Sequence, residues 1–252
     1  LPHGQRCGSD TFMPSHTNSC QRGRLTVFYS VGSKPLNNWE SHIKDGYIRR
    51  FLDPEIKSMV LEIGGVNVST TYITCPPGNK VLGITMPFLV MIVKNMKKYF
   101  TFEITILDET GTRRRFRIAN FQSQTQILPL STAMPINLTD GWNQIQFNLY
   151  EFTRRAYNKH FVEVQKIKIN ANIRLRRIYF AERLVPEEEL PAEFRIFFPI
   201  ISTTKSRRQQ AISSNHSPLV TARGRRDDGT SSTQSEPAHK GVTANIQIKR
   251  LN

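Results

Sequence analysis

Six histidines, His3, His16, His42, His160, His216 and His239, are the first place to look for acid–base or metal chemistry in this chain. They are scattered, and no two stand at a ligand spacing such as His-x-x-x-His. Three cysteines, Cys7, Cys20 and Cys75, have no short regular spacing and suggest neither a zinc site nor a disulfide framework. Carboxylates cluster in PEEELPAEF (186–194). Adjacent glutamates after a proline read as the acidic first turn of a short helix, not as two acids facing each other across a sugar. VGSKPL (31–36) lacks the leading glycine of a phosphate loop and reads as a turn leaving a strand. The Gly-x-Ser-x-Gly elbow and the dinucleotide fingerprint are missing from the sequence. The expectation is a non-enzyme with no cofactor, no metal and no small-molecule substrate.

Basic groups are more plentiful. In GTRRRFRI, Arg113, Arg115 and Arg117 project from one side of a strand while Phe116 and Ile118 point inward. In NIRLRRIYF, Arg174 and Arg176 project likewise. Lys94, Lys97 and Lys98 are placed on a turn, and Arg154 and Arg155 on the outer side of a short helix. The plain reading of any one cluster is a solvated face that keeps sheet edges unpaired. Over the whole chain, 35 Lys+Arg against 20 Asp+Glu give +15, which favours an anionic partner. Nine Lys/Arg and three Asp/Glu of these lie in residues 201–252, so the body is basic in its own right. A reader of single-stranded nucleic acid interleaves exposed aromatics with its cations. Here the neighbours Phe116, Ile118, Ile173 and Leu175 have core parity, which favours an acidic protein surface over nucleic acid.

The elements that position these groups read as short strands. RLTVFYSVG (24–32) is followed by KSMVLEIGGVNVSTTYITCP (57–76), in which Gly64-Gly65 marks an expected hairpin turn. FLVMIV (88–93) is continuously apolar, as in a strand buried on both faces. YFTFEITILDETGTRRRFRIANF (99–121) is the clearest hairpin, turning at DETG. MPINL and WNQIQFNL are expected to pair around Asp140-Gly141. VEVQKIKI (162–169) and NIRLRRIYF (172–180) each change alternation phase midway, which predicts a β-bulge in both. NLYEFTRRAYNK (148–159) is the one convincing helix, with Leu149, Phe152 and Ala156 on its inner side. The expected fold is an all-β, jelly-roll-like two-sheet sandwich over 23–200. An irregular segment (1–22) precedes it and a disordered basic tail (201–252) follows.

The longest apolar stretch, LGITMPFLVMIV (82–93), is shorter than the roughly 20 residues of a membrane span and contains proline. Membrane insertion is not expected, and no charged start followed by an apolar stretch suggests a signal peptide. The Asn67-Val-Ser69 and Asn137-Leu-Thr139 sequons then read as ordinary strand and turn residues.

Trp142 is the residue out of pattern. Ile145, Phe147 and Leu149 share one strand face, yet Trp142 falls on the polar parity beside an Asp-Gly turn. Its readings are a plug at a sheet corner, an anchor for a partner, or a platform for a sugar; Trp39 poses the same choice between core and interface.

The runs YSVGSKPL, VLEIGGVNVSTTYITCP, LGITMPFLVMIVKNMKKYFTFEITILD, RRRFRIANFQS, DGWNQIQFNLYEFTRRAY and ELPAEFRIFFP together resemble the cilia- and flagella-associated protein twenty family. The resemblance is collinear from about Gln21 to Pro199. Residues 1–19 match nothing in it, Cys20 and Arg24 stand where phenylalanine is usual, and the extension after residue 200 is longer than is customary. It implies a jelly-roll sandwich shaped like carbohydrate-binding modules but not known for binding sugar. It further implies a structural protein at the inner junction of ciliary doublet microtubules, where the B-tubule closes onto the A-tubule. The partners implied are tubulin and the parkin co-regulated protein. The place implied is the axoneme and the basal body or centriole, in support of ciliary motility. Tubulin surfaces are acidic, which agrees with the basic body; the nucleus is a secondary expected location.

Overall fold

The computed structural model describes residues 23–198 and 246–251. The lead-in over 1–22 and the tail from 201 to 245 lie outside the described residues. In chain order the strands are β1 (Arg24–Tyr29), β2 (Glu40–His42), β3 (Gly46–Asp53), β4 (Ser58–Gly65) and β5 (Tyr72–Cys75). There follow β6 (Phe88–Asn95), β7 (Thr101–Asp108), β8 (Arg113–Ala119), β9 (Gln126–Ile127), β10 (Ser131–Pro135) and β11 (Gly141–Asn148). The helix α1 (Leu149–Tyr157) comes next, then β12 (Phe161–Asn170), β13 (Ile173–Ala181) and β14 (Gln247–Arg250). One sheet runs β14-β11-β6-β13-β4-β3, with β1 also paired to β13; the other runs β2-β5-β12-β7-β8-β10-β9. The chain is an all-β sandwich.

Between the sheets lies one apolar core. Phe100, Phe102, Ile104 and Ile106 meet Phe116 and Ile118 from the neighbouring strand, and all are buried. Period-two alternation on β7 and β8 produces this, since each inward residue is followed by an outward one. Leu89, Met91, Val93, Ile145, Phe147, Ile173 and Leu175 complete the core from the opposite sheet. The two outer faces differ. On the first sheet Val90, Ile92, Val60, Trp142 and Tyr179 are buried again, under Leu190, Phe194, Ile196, Phe198 and Leu251. That explains the unbroken apolar run of β6, which needs a cover on each side. We call this the covered sheet, and the other, which has no such apolar cover among the described residues, the bare sheet.

The helix begins at Asn148, whose side chain accepts from the Glu151 N–H at 3.1 Å, and ends at Asn158 in the left-handed conformation. Leu149 and Phe152 face inward, and the Phe152 ring stacks on Phe147 at 4.1 Å between centroids. Both expected bulges are present. The register shifts between Val164 and Lys166 on β12 and between Leu175 and Arg177 on β13, where the apolar phase changes.

Two expected hairpins are not formed. Gly64-Gly65 ends β4, and the chain then crosses to the other sheet before forming β5. The glycines serve close approach instead: a Cβ on Gly64 would stand 2.5 Å from the Tyr47 ring, and one on Gly46 2.3 Å from the Gly64 carbonyl oxygen. Asp140-Gly141 also joins different sheets, because β10 runs parallel beside β8 while β11 pairs with β6. The tail reading needs a correction too. Gln247–Arg250 forms β14 on the edge of β11, and Ile246 and Ile248 pack against the main core.

The DETG turn between β7 and β8 depends on Asp108. One carboxylate oxygen accepts from the Thr110 and Thr112 N–H groups, both at 3.0 Å, and from the Thr110 hydroxyl at 2.6 Å. The other accepts from Arg114 Nε at 2.8 Å. Burial alone would raise the Asp108 pKa, but these donors outweigh it and bring it down to about 2. Its folded value is thus below its unfolded value, so its stabilisation is full above about pH 4 and fades as pH falls toward 2. Asp108→Asn should cost about 1–2 kcal/mol at neutral pH by urea denaturation, with the gap to the parent protein closing between about pH 4 and 2. Leu251→Asp should uncover Trp142 and shift tryptophan emission to longer wavelength; an unchanged spectrum would contradict the cover described for that ring.

Candidate basic surface on the bare sheet

Arg113, Arg115 and Arg117 do share the outer face of β8, all exposed, and span roughly 13 Å at the usual strand rise. Across β7 their neighbours are Leu107, Thr105 and Glu103. Glu103 is the nearest counter-charge, 4.0 Å from both Arg115 and Arg117, whose side chains remain 56% and 47% exposed. Ion pairs that long and that wet contribute little and leave the guanidinium groups available. Next along the sheet, Lys166 and Lys168 of β12 lie opposite Thr105 and Glu103. They extend the positive face; the phase change in VEVQKIKI already turns them outward, although sequence reading did not single them out.

The Ala119 end of β8 leads to the Lys97–Lys98 turn. Asn120 ties the two together: its side-chain NH2 donates to the Lys98 carbonyl at 2.8 Å, and its oxygen accepts from the Phe100 N–H at 2.8 Å. Lys97 and Lys98 are exposed, with Lys97 reaching Asp140 at 2.9 Å. Beside them the exposed Tyr99 and Phe121 rings pack at 5.2 Å. Near the opposite end, Arg114 lies over the Tyr157 ring at 4.7 Å, which sets the last turn of α1 beside this strand. Arg154 and Arg155 are exposed on that helix, and Arg155 pairs with Glu151 one turn back. An apolar tip adjoins the cations. Ile127, Leu128 and Leu130 are 43%, 59% and 60% exposed on the short β9–β10 hairpin, and the Leu130 carbonyl accepts from the Arg115 N–H at 2.9 Å. Sequence reading missed this tip; its signal is ILPL, apolar residues around a proline in an otherwise polar loop.

The remaining candidates belong to the covered sheet and are used internally. Arg174 donates to Glu62 at 2.6 Å and to Asp53 at 2.9 Å, both carboxylates being buried. Arg49 at 2.6 Å and the Tyr47 hydroxyl at 2.7 Å also serve Glu62. Burial would raise the Glu62 pKa, but these donors hold it below the ordinary value. Lys94 bridges Glu55 and Asp53, and Arg176 lies over the Tyr29 ring at 4.6 Å. Trp142 is fully buried beside Ile56, Val60 and Ile92. Of its three readings the plug stands; a partner anchor or sugar platform needs an exposed ring. Its indole N–H has no partner among the described residues. Asn143 secures the adjoining turn, accepting from the Thr139 N–H at 2.9 Å and donating to the Thr139 and Gly141 carbonyls. Trp39 is core as well, donating to the Val27 carbonyl at 2.9 Å.

For the other chemistry, the described residues contain no group of three or more His, Cys, Asp or Glu able to hold a metal, and no helix long and apolar enough to cross a membrane. Cys75 is buried, and burial pushes its thiol up to about 12. The acidic run forms two 3₁₀ turns, Glu187–Glu189 and Ala192–Phe194.

The fold is a two-sheet β-sandwich whose one sheet is covered and whose other presents a cationic outer face among the described residues. The chain belongs to the CFA20-domain family, whose model matches residues 15–198. Relatives named cilia- and flagella-associated protein 20 are 56% identical in Chlamydomonas reinhardtii and in Paramecium tetraurelia, over 184 residues that form 73% of this chain and 97% and 96% of those proteins. The relative in Caenorhabditis elegans is 53% identical, covering 91% of that protein. Among solved structures, a family 11 carbohydrate-binding module from Clostridium thermocellum aligns over 66% of this chain and all of that one, at 11% identity and a TM-score of 0.36. The xylanase 10B structure from the same organism aligns over 65% of this chain and 29% of that one, with the same identity and score. Those low scores carry no functional argument.

Arg174→Met should cost about 3–5 kcal/mol in urea denaturation, since it leaves Asp53 and Glu62 buried without their shared cation. Arg115→Glu should change stability by less than about 1 kcal/mol, as expected for an exposed site.

Proposed function

We propose that this chain is a non-catalytic structural protein of cilia and flagella that binds the acidic surface of the axonemal doublet microtubule through its bare sheet. The observation that carries this reading is the uncovered Arg113, Arg115 and Arg117 row, continuous with Lys97 and Lys98 and flanked by the apolar Ile127–Leu130 tip. Arginine forks suit surface carboxylates, and an apolar tip beside them supplies the desolvated contact that a charge patch lacks. Family membership supports the ciliary setting. Within it we place the chain at the inner junction, in contact with tubulin and next to the parkin co-regulated protein, where it supports doublet stability, motility and basal-body function. Repetition along the polymer makes a modest affinity per subunit sufficient, because bound neighbours act multivalently.

One arrangement favours a second reading, single-stranded nucleic acid: the exposed Tyr99 and Phe121 rings beside Lys97 and Lys98. Co-sedimentation with taxol-stabilised microtubules, run beside a filter-binding titration with single-stranded oligonucleotides, separates the two. The expected result is pelleting that weakens with salt and on removal of tubulin's acidic tails. Replacing Arg113, Arg115 and Arg117 together by Glu should raise the half-saturation concentration about tenfold or more, while Arg183→Glu beyond the covered sheet should not. No pelleting at low salt, or tighter binding to the oligonucleotide, would overturn the proposal.

A further inference from the structure

A cavity of about 320 Å³ opens between β1, the turn after it and the Ala192–Phe194 segment, away from the bare sheet. Its size falls at the lower end of the range for small-ligand sites, about 300 Å³ upward. The Tyr29, Trp39 and Phe194 rings line it together with Pro35, so most of its wall is aromatic or apolar. Arg177 lines it too, although it is only 6% exposed. Its guanidinium carbon lies 3.8 Å from the Tyr29 centroid and 4.6 Å from that of Phe194. It donates to the Thr26 hydroxyl at 3.0 Å. No carboxylate lies within 4.0 Å of it among the described residues.

A buried arginine normally ends in a carboxylate, as Arg174 does here. Arg177 instead turns its five N–H donors toward neutral oxygens, the Thr26 hydroxyl and the Tyr29 side chain, and lies over two rings beside an open space. The surrounding charge has the same sign. Arg176 also lies over the Tyr29 ring, at 4.6 Å, Arg24 approaches the Phe194 ring at 5.8 Å, and Lys34 lines the cavity. Glu193 is the one opposing charge on its wall among the described residues. Burial would raise the Tyr29 pKa, yet Arg176 and Arg177 bring it below its ordinary value, which agrees with a positive local field. Arg177 itself is shifted down, first by burial and then by Arg176, against the pull of Tyr29 and Glu193.

We infer that this cavity is a binding site for a single carboxylate carried on an apolar or aromatic arm, with Arg177 as the anion fork and Tyr29, Trp39 and Phe194 as the walls. A monoanion fits better than a phosphate dianion, because Glu193 shares the wall. The carboxylate has two possible sources, a small organic acid or the chain end of a peptide. Either is distinct from the acidic filament surface assigned to the bare sheet, so failure here leaves that assignment standing.

The test is isothermal titration of the full chain at neutral pH and low salt with 3-phenylpropionate, its neutral amide, phenyl phosphate, and acetyl-Gly-Gly-Phe as free acid and as amide. At least one of the two free acids should bind with Kd below about 1 mM, and its amide should bind about tenfold more weakly or less. Binding of phenylpropionate alone points to a small acid; tighter binding of the peptide acid points to a chain end. Arg177→Gln should weaken the bound acid about tenfold or more. Glu193→Gln should tighten it, a sign that a purely structural Arg177 gives no reason to expect. Should Arg177→Gln fail to fold by circular dichroism, the Glu193→Gln result decides. Absence of binding by both acids, equal binding of acid and amide, phenyl phosphate as the tightest probe, or a Glu193→Gln variant with unchanged or weaker affinity would each overturn the assignment.

Discussion

The two sheets share one core but not one fate on their outer sides, and this asymmetry of cover governs the rest of the molecule. A strand such as β6, apolar at every position from Leu89 to Val93, is stable only if both of its faces leave water. The segment after β13 and the short β14 with Leu251 supply that second cover. The bare sheet needs no such lid, because β7, β8 and β12 alternate and place charge outward. The proposed binding face is therefore the side that packing does not use.

Cover also sorts the cations. On the covered sheet, Lys94 and Arg174 are drawn into a network with Asp53, Glu55 and Glu62, where removal of one partner strands a buried charge. Arg115 and Arg117 meet a single carboxylate, Glu103, at the limit of an ion pair, and Arg113 lies across from Leu107. Arginines of the same alternating appearance thus have opposite roles, decided by whether a second layer brings carboxylates to them. Arg177 is a third case, buried by rings instead of by acids.

Much of the sandwich was legible because alternation and burial are local signals. The β7–β8 hairpin, the helix with its Asn148 cap, and both bulges follow from period and phase. The failures are non-local. Gly64-Gly65 and Asp140-Gly141 look like hairpin turns, but each sends the chain to the other sheet, and nothing within a few residues distinguishes the two outcomes. The polar tail hid β14, since QIKR becomes a strand only by pairing with β11. In the candidate surface, strand parity identified the β8 arginines. It also selected Arg174 and Arg176, because parity reports which face a residue occupies and not what covers that face. Trp142 looked anomalous for the same reason: its face is polar by pattern and buried by the chain that returns over it.

Covalent footprinting of the arginines and lysines, free and on microtubules, tests the central claim most directly, because it reads which face meets the polymer. The account requires that modification of Arg113, Arg115, Arg117, Lys97 and Lys98 slow markedly on the filament while Arg183 and Lys249 react as before. Protection of Arg183 and Lys249, with the β8 arginines still reactive, would contradict it.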